Sequence, residues 1–281
     1  MTPACRRRRR RVAQLGIVSL ACGTTTLAVR ADPWVPAAGA GSTSLALRRY
    51  DATREFPPGR YGSGTRPGSG QRYEQLRLSG SHGLGHGLTL TYDLRAARVQ
   101  KIRTHHGVRT RERATGVQDQ TIGVDLALTQ RPDFADAIGV NLVAATGSTT
   151  KVPALGVGHA ALEPDVQLGW AGAQWRFSVR TGARVFLDSG VAQMRADLDL
   201  GLRVAPRIDL AALLFYVRTV GGRSPLPPTD DAERYNLLRP GIRLKYRATA
   251  QLKPFIEYEQ DLAGQALHAG RRFTLGLSYA Y

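Results

Sequence analysis

Phe273-Thr274-Leu275-Gly276-Leu277-Ser278-Tyr279-Ala280-Tyr281 is the stretch on which the fold turns. Side chains of an extended strand alternate between two faces. Phe273, Leu275, Leu277, Tyr279 and Tyr281 therefore share one face, and Thr274, Gly276, Ser278 and Ala280 share the other. One face is large and apolar while the other is small and polar. A water-soluble sandwich carries the same alternation, so the stretch gains meaning from the strands that precede it.

Working outward, the period of two returns along the chain. Leu88, Leu90, Tyr92, Leu94 and Ala96 oppose Thr89, Thr91, Asp93 and Arg95, where a helical period would scatter the leucines round the axis. Ile122, Val124, Leu126 and Leu128 oppose Gly123, Asp125, Ala127 and Thr129. Six apolar residues from Met194 to Val204 oppose Arg195, Asp197, Asp199, Gly201 and Arg203. Further strands are expected at 42–50, 73–80, 137–146, 165–171, from Trp175, at 207–218, around Ile242 and from Leu252 to Glu259. The strand at 207–218 is apolar on both faces except at Asp209, which predicts Leu213 and Phe215 packed inward. The expected strands number twelve. Connections after the first, third, fifth, ninth and eleventh are long and those after the second, fourth, sixth, eighth and tenth are short; the turn at Asp188-Ser189-Gly190 breaks the alternation. The basic run 98–116 and the proline-rich run 221–233 read as two of the long loops.

The opposite end of the chain bears on compartment. Arg6 to Arg11 are followed by the apolar run 12–22, with no acid before Asp32, and Val29-Arg30-Ala31 offers short side chains for cleavage. A basic segment, an apolar segment and a small-residue ending describe a secretory signal peptide at 1–31, with the mature domain at 32–281. Alternatives are a basic nucleic-acid arm, a single anchoring helix, or a lipoprotein with Cys22 behind Ser19-Leu20-Ala21. The arm leaves the apolar run unexplained, and Gly23-Thr24-Thr25-Thr26 interrupts the helix. Seven arginines lie in 1–31, so the formal +17 of the chain leaves +10 for the mature part. Both cysteines, Cys5 and Cys22, also lie there, which removes cysteine metal sites, cysteine nucleophiles and disulfides from the mature part. No mature apolar run reaches the ~18 residues of a membrane helix. If this part spans a membrane, it does so as a closed barrel, because lipid leaves backbone groups no other partner.

Twelve amphipathic strands, long loops alternating with short turns, and aromatics near strand ends predict an all-β, antiparallel up-and-down transmembrane β-barrel. With Asp32-Pro33-Trp34-Val35-Pro36-Ala37-Ala38-Gly39 and the terminal strand, the chain resembles proteobacterial outer-membrane barrels grouped with MetA-pathway phenol-degradation and other transporter-like proteins. The resemblance covers the mature chain in pattern. It implies an outer-membrane location, passage of small, anionic or aromatic solutes, contact with outer-membrane lipid and lipopolysaccharide, and recognition of Phe273, Tyr279 and Tyr281 by the barrel-assembly machinery. It implies no nucleic-acid partner and transfers no functional residue by position.

Inward alternation selects the lumen candidates: Asp93, Arg95, Asp125, Arg176, Arg180, Arg184, Arg195, Asp197, Asp199, Arg203, Asp209, Arg243, Lys245, Arg247, Glu257 and Glu259, with Arg77 beside them. Such a set either attracts anions into a polar bore or fills a plugged one with internal ion pairs. The plugged form would make the protein a structural or adhesion barrel of the envelope. The basic run contributes Arg98, Lys101, Arg103, Arg109, Arg111 and Arg113, suited to phosphates of surface lipopolysaccharide or to plain solvation. Histidines 82, 86, 105, 106, 159 and 268 lie in expected turns or loops and form no serine-histidine-acid arrangement on a strand edge. No catalytic residue, metal site or cofactor is expected.

Overall fold

The computed structural model describes residues 33–57, 60–105, 108–221 and 234–281. The expected signal peptide and the greater part of the 221–233 loop lie outside them. Fourteen strands occur among the described residues: β1 Gly41–Phe56, β2 Arg66–Gly85, β3 Leu88–His105, β4 Val108–Val117, β5 Gln120–Gln130, β6 Phe134–Ala144 and β7 Ala161–Ala171, followed by β8 Trp175–Phe186, β9 Ala192–Ala205, β10 Ile208–Gly221, β11 Asn236–Tyr246, β12 Leu252–Gln260, β13 Ala263–Gln265 and β14 Leu267–Ala280. Twelve of them form an antiparallel ring, with β4 laid on β3 and β13 on β11 outside it. The ring closes because β14 pairs with β1 along nearly the whole length of both strands. Closure leaves no unpaired edge for lipid to meet.

Alternation decides which face each strand turns outward. Leu47, Leu275, Ile242 and Leu200 are all exposed, whereas residues one step away, such as Thr274 and Asp199, are buried. A soluble protein would bury these leucines; a transmembrane β-barrel gives them to lipid. Leu213 and Phe215 do face inward, Leu213 buried and Phe215 beside the guanidinium of Arg195. At the β2–β3 turn, Gly85 and Gly87 take φ of +92° and +76° with His86 between them at 53°. Two glycines make such a left-handed hairpin turn accessible.

Three expectations need correction. The run 98–116 is not a loop: β3 and β4 pair from Ala96/Val117 to His105/Val108 and carry the sheet beyond the ring. Charge suggests solvation, yet Ala97, Val99 and Ala114 form a small buried cluster under Leu155 that gives the hairpin an apolar inner face. β7 also begins at Ala161 rather than Asp165. Pro164 obscured this, because proline argues against a strand interior; here it sits opposite Val140 on the outer face. On the long-loop side the turn at Asp188-Ser189-Gly190 is short as expected, and the link 261–266 from β12 to β14, expected to be long, is short as well because β14 begins at Leu267.

Candidate functional site in the barrel lumen

The inward residues divide into a vestibule, a waist and a mouth. The vestibule, on the long-loop side, is a cavity of about 1390 Å³ lined by nine basic and five acidic side chains. Two of its carboxylates are each shared by two arginines. Asp93 Oδ1 accepts from Arg77 Nε at 2.8 Å while Asp93 Oδ2 pairs with Arg95. Glu163 Oε1 receives both Arg184 and Arg195. Each trio carries one surplus positive charge, and Arg95 on β3 lies within electrostatic reach of Arg195 and Glu163 on β9 and β7. The surplus charges therefore approach one another across the lumen.

Other pairs hold their arginines against the wall. Arg180 meets Asp165 at 2.5 Å and Asp125 at 3.9 Å, and Asn141 Nδ2 donates to Asp165 Oδ2 at 3.0 Å. Arg239 Nε donates to Asp261 at 2.6 Å, and the Tyr50 hydroxyl donates to the other oxygen of the same carboxylate. Arg272 donates to Glu259 and to the Tyr73 hydroxyl, and Tyr73 stacks on Tyr50 at 5.0 Å between centroids. Phe215 lies under two guanidiniums, Arg195 at 5.3 Å and Arg239 at 5.7 Å. Asp197 completes the lining. The arrangement offers cations and flat aromatic faces together.

Below the vestibule the inward side chains bury one another. Arg243 and Lys245 are each 2% exposed, and the register sets buried Glu257 and Phe255 opposite them and buried Leu213 and Ser178 opposite Asp199. Arg243 pairs with Asp199 and lies 3.8 Å from Glu257. At the short-turn end Arg247 binds Asp209 through two bonds of 2.7 Å, with Arg203 at 3.9 Å. Arg176 packs on an aromatic face instead, its guanidinium 3.9 Å over the ring of Trp34.

Trp34 belongs to a segment that alternation could not locate. Pro33 is buried, and a Cβ added to Gly169 on the inner face of β7 would lie 2.3 Å from the Trp34 ring and 2.6 Å from Pro33. Gln130 clasps this segment through Pro33 O and Val35 N, and Trp34 Nε1 donates to Arg131 O. The chain then passes Gly83 of β2, where a Cβ would strike Ala37 O at 2.2 Å. Residues 33–40 thus run across the short-turn mouth from β7 to β2.

Sequence alternation brought Asp93, Arg95, Arg180, Arg184, Arg195 and Asp197 to the vestibule. It placed Asp199, Arg243, Lys245 and Glu257 in the waist, not on an open bore. Glu163, Arg239 and Arg272 escaped it because the strands carrying them are longer than expected, and extending the same parity upward would have found them. Asp261 lies just past the end of β12, while Arg48 and Asp165 fall at inward positions inside the expected strands 42–50 and 165–171, where parity alone already marks them. Phe273, Tyr279 and Tyr281 face outward, and the Tyr281 backbone exchanges two hydrogen bonds with Gly41.

A closed antiparallel ring with an apolar outer belt and a charged interior defines the fold class of the outer-membrane β-barrels. No protein-family model and no curated protein matches the sequence. Among solved structures, the fold is similar to an outer membrane channel from Pseudomonas putida F1, with TM-score 0.64 and 17% identity over 89% of this chain and 98% of that one. It is also similar to the KdgM porin, with TM-score 0.51 and 10% identity over 85% and 99%. The translocator domain of the autotransporter NalP from Neisseria meningitidis gives 0.52 and 12% over 88% and 90%. At such identities the likeness is one of fold, and it spans channels and a translocator alike.

Proposed function

We propose that this protein is an outer-membrane channel for small anionic solutes, aromatic carboxylates among them, and that it performs no catalysis. The observation that carries the reading is the vestibule, where surplus guanidiniums on Asp93 and Glu163 stand beside Phe215, Tyr50 and Tyr73. Confinement in a low-dielectric wall concentrates the field of such charges, although screening over about 8 Å at physiological salt keeps the effect to a preference. Outer-membrane placement is supported by the barrel, its apolar belt and the basic-then-apolar leader ending at Ala31. The resemblance to the phenol-degradation-like transporter group supports an aromatic cargo, and the exposed Phe273, Tyr279 and Tyr281 support recognition of β14 by the assembly machinery.

A second reading is favoured by the waist, whose buried side chains fit a plugged barrel that anchors its loops in the envelope. Planar bilayers under a salt gradient separate the two. The channel reading expects conductance with a reversal potential of anion sign. A cation sign refutes the selectivity, and a folded barrel with no conductance selects the anchoring form.

A further inference from the structure

The outer wall carries a second charged surface that the channel reading does not use. Cross-strand register places Leu275, Leu47, Leu76, Ala96 and Val117 in one row across β14, β1, β2, β3 and β4. All five are exposed; Leu47, Leu76 and Val117 end the apolar belt on their strands, and on β14 it runs one outward residue further, to Phe273. Two residues further toward the long-loop side the row reads Phe273, Arg49, Glu74, Arg98 and Thr115. The next row reads Arg271, Asp51, Arg72, Gln100 and Arg113. Within about 7 Å along a strand the wall passes from leucine to arginine.

Charge does not simply decorate the rim. Seven exposed arginines, at 49, 54, 72, 98, 111, 113 and 271, stand against Asp51 and Glu74 in this sector among the described residues. On the outward positions of β5 to β12, Arg218 is the single basic residue among those described. Asp51 is occupied by Arg49 and Arg72, while Arg98, Arg111, Arg113 and Arg271 pair with no carboxylate among the described residues. Pairing of β3 with β4 makes the surface: the hairpin holds Arg98 in the row of Arg49 and Arg113 in the row of Arg72. Lys101, in contrast, turns inward to the vestibule. The side chains of Arg103 and Arg109 lie outside the described ones.

We propose that this sector binds a phosphorylated glycolipid of the outer leaflet, with acyl chains on the leucine row and phosphates between the arginine rows. Guanidiniums suit phosphate because their paired donors match its oxygens. Five strands at ~4.8 Å spacing make a face about 19 Å wide, broad enough for a headgroup with more than one phosphate. The long-loop side is the outer one in such barrels, so the arginines stand at the height of that headgroup. The inference rests on outer-membrane placement and is independent of conduction.

Native mass spectrometry of the full mature chain tests it, with bisphosphorylated lipid A, dephosphorylated lipid A, phosphatidylglycerol or inorganic phosphate added to the detergent. Bisphosphorylated lipid A should be retained about tenfold more than either other lipid, a difference worth ~1.4 kcal/mol. Arg72→Ala/Arg98→Ala/Arg113→Ala should lose that excess and Arg218→Ala should keep it. Equal retention of phosphatidylglycerol or dephosphorylated lipid A overturns the proposal, as does full retention by the triple variant. So does competition by millimolar inorganic phosphate alone, which marks a nonspecific anion site. Should the triple variant fail to give a heat-modifiable band, Arg98→Gln alone must still weaken retention, and added salt must weaken it in the unaltered protein. Fractionation of the cells keeps a failure of membrane placement distinct from a failure of lipid binding.

Discussion

Arg243→Ala probes the waist. Arg243 is buried between Asp199 and Glu257, whose side chains are each 4% exposed. Removing one partner of a buried ion pair strands the other, at a cost of ~3 to 5 kcal/mol. Here two carboxylates lose the same guanidinium, which argues for the upper end of that range. Lys245 argues for the lower: its ammonium is buried, makes no hydrogen bond, and lies in the field of Asp199, so it can turn toward the vacated charge. A loss of about 3 kcal/mol is expected, read from urea titration of the protein in lipid vesicles by tryptophan emission and heat-modifiability. Arg243→Met with Asp199→Asn removes the nearer of the two stranded charges and keeps volume, so part of the loss should return, with Glu257 left as the one uncompensated carboxylate of the pair. The alanine variant should also conduct more than the parent, because a long side chain has left the packed waist. A single variant within ~0.5 kcal/mol of the parent, with unchanged conductance, refutes the packed waist: water would then already reach both carboxylates.

Further outcomes follow from other parts of the barrel. Gly169→Val places side-chain atoms where Trp34 and Pro33 now lie; the 33–40 segment should leave the mouth, seen as protease cleavage within it, and an uncut segment argues against its lodging there. Arg195→Gln removes the surplus charge from the Glu163 trio and should lower the anion preference in a salt gradient without disturbing folding, whereas an unchanged reversal potential discounts the vestibule field. Deleting Tyr281, or Tyr281→Lys, should diminish the assembled, heat-modifiable form in cells; an unchanged band makes β14 an ordinary strand. N-terminal sequencing of the outer-membrane fraction should begin at Asp32, and a retained Arg6 to Arg11 run ends the leader reading.

The outer surface of this barrel was legible in the sequence because lipid imposes a one-dimensional rule: every second residue must be apolar, and Leu275, Leu277 and Tyr279 obey it within a single strand. The interior follows no such rule. Arg77 and Arg95 meet at Asp93 within the β2–β3 hairpin, so their partnership could be read from the turn between them. Arg243 and Asp199 are 44 residues apart on strands two places apart in the ring, and Arg95 approaches Arg195 from another part of the wall. Parity says that such residues point inward; it says nothing of their height, which is set by the stagger of the strands around the ring. Height is what separates the open vestibule of Arg95 and Arg195 from the buried waist of Arg243, two regions that alternation alone had merged. It also separates the leucine row from the arginine rows on the outer wall. The functional differences in this protein therefore lie along the barrel axis, the coordinate on which a single strand is silent and the register of all twelve is needed.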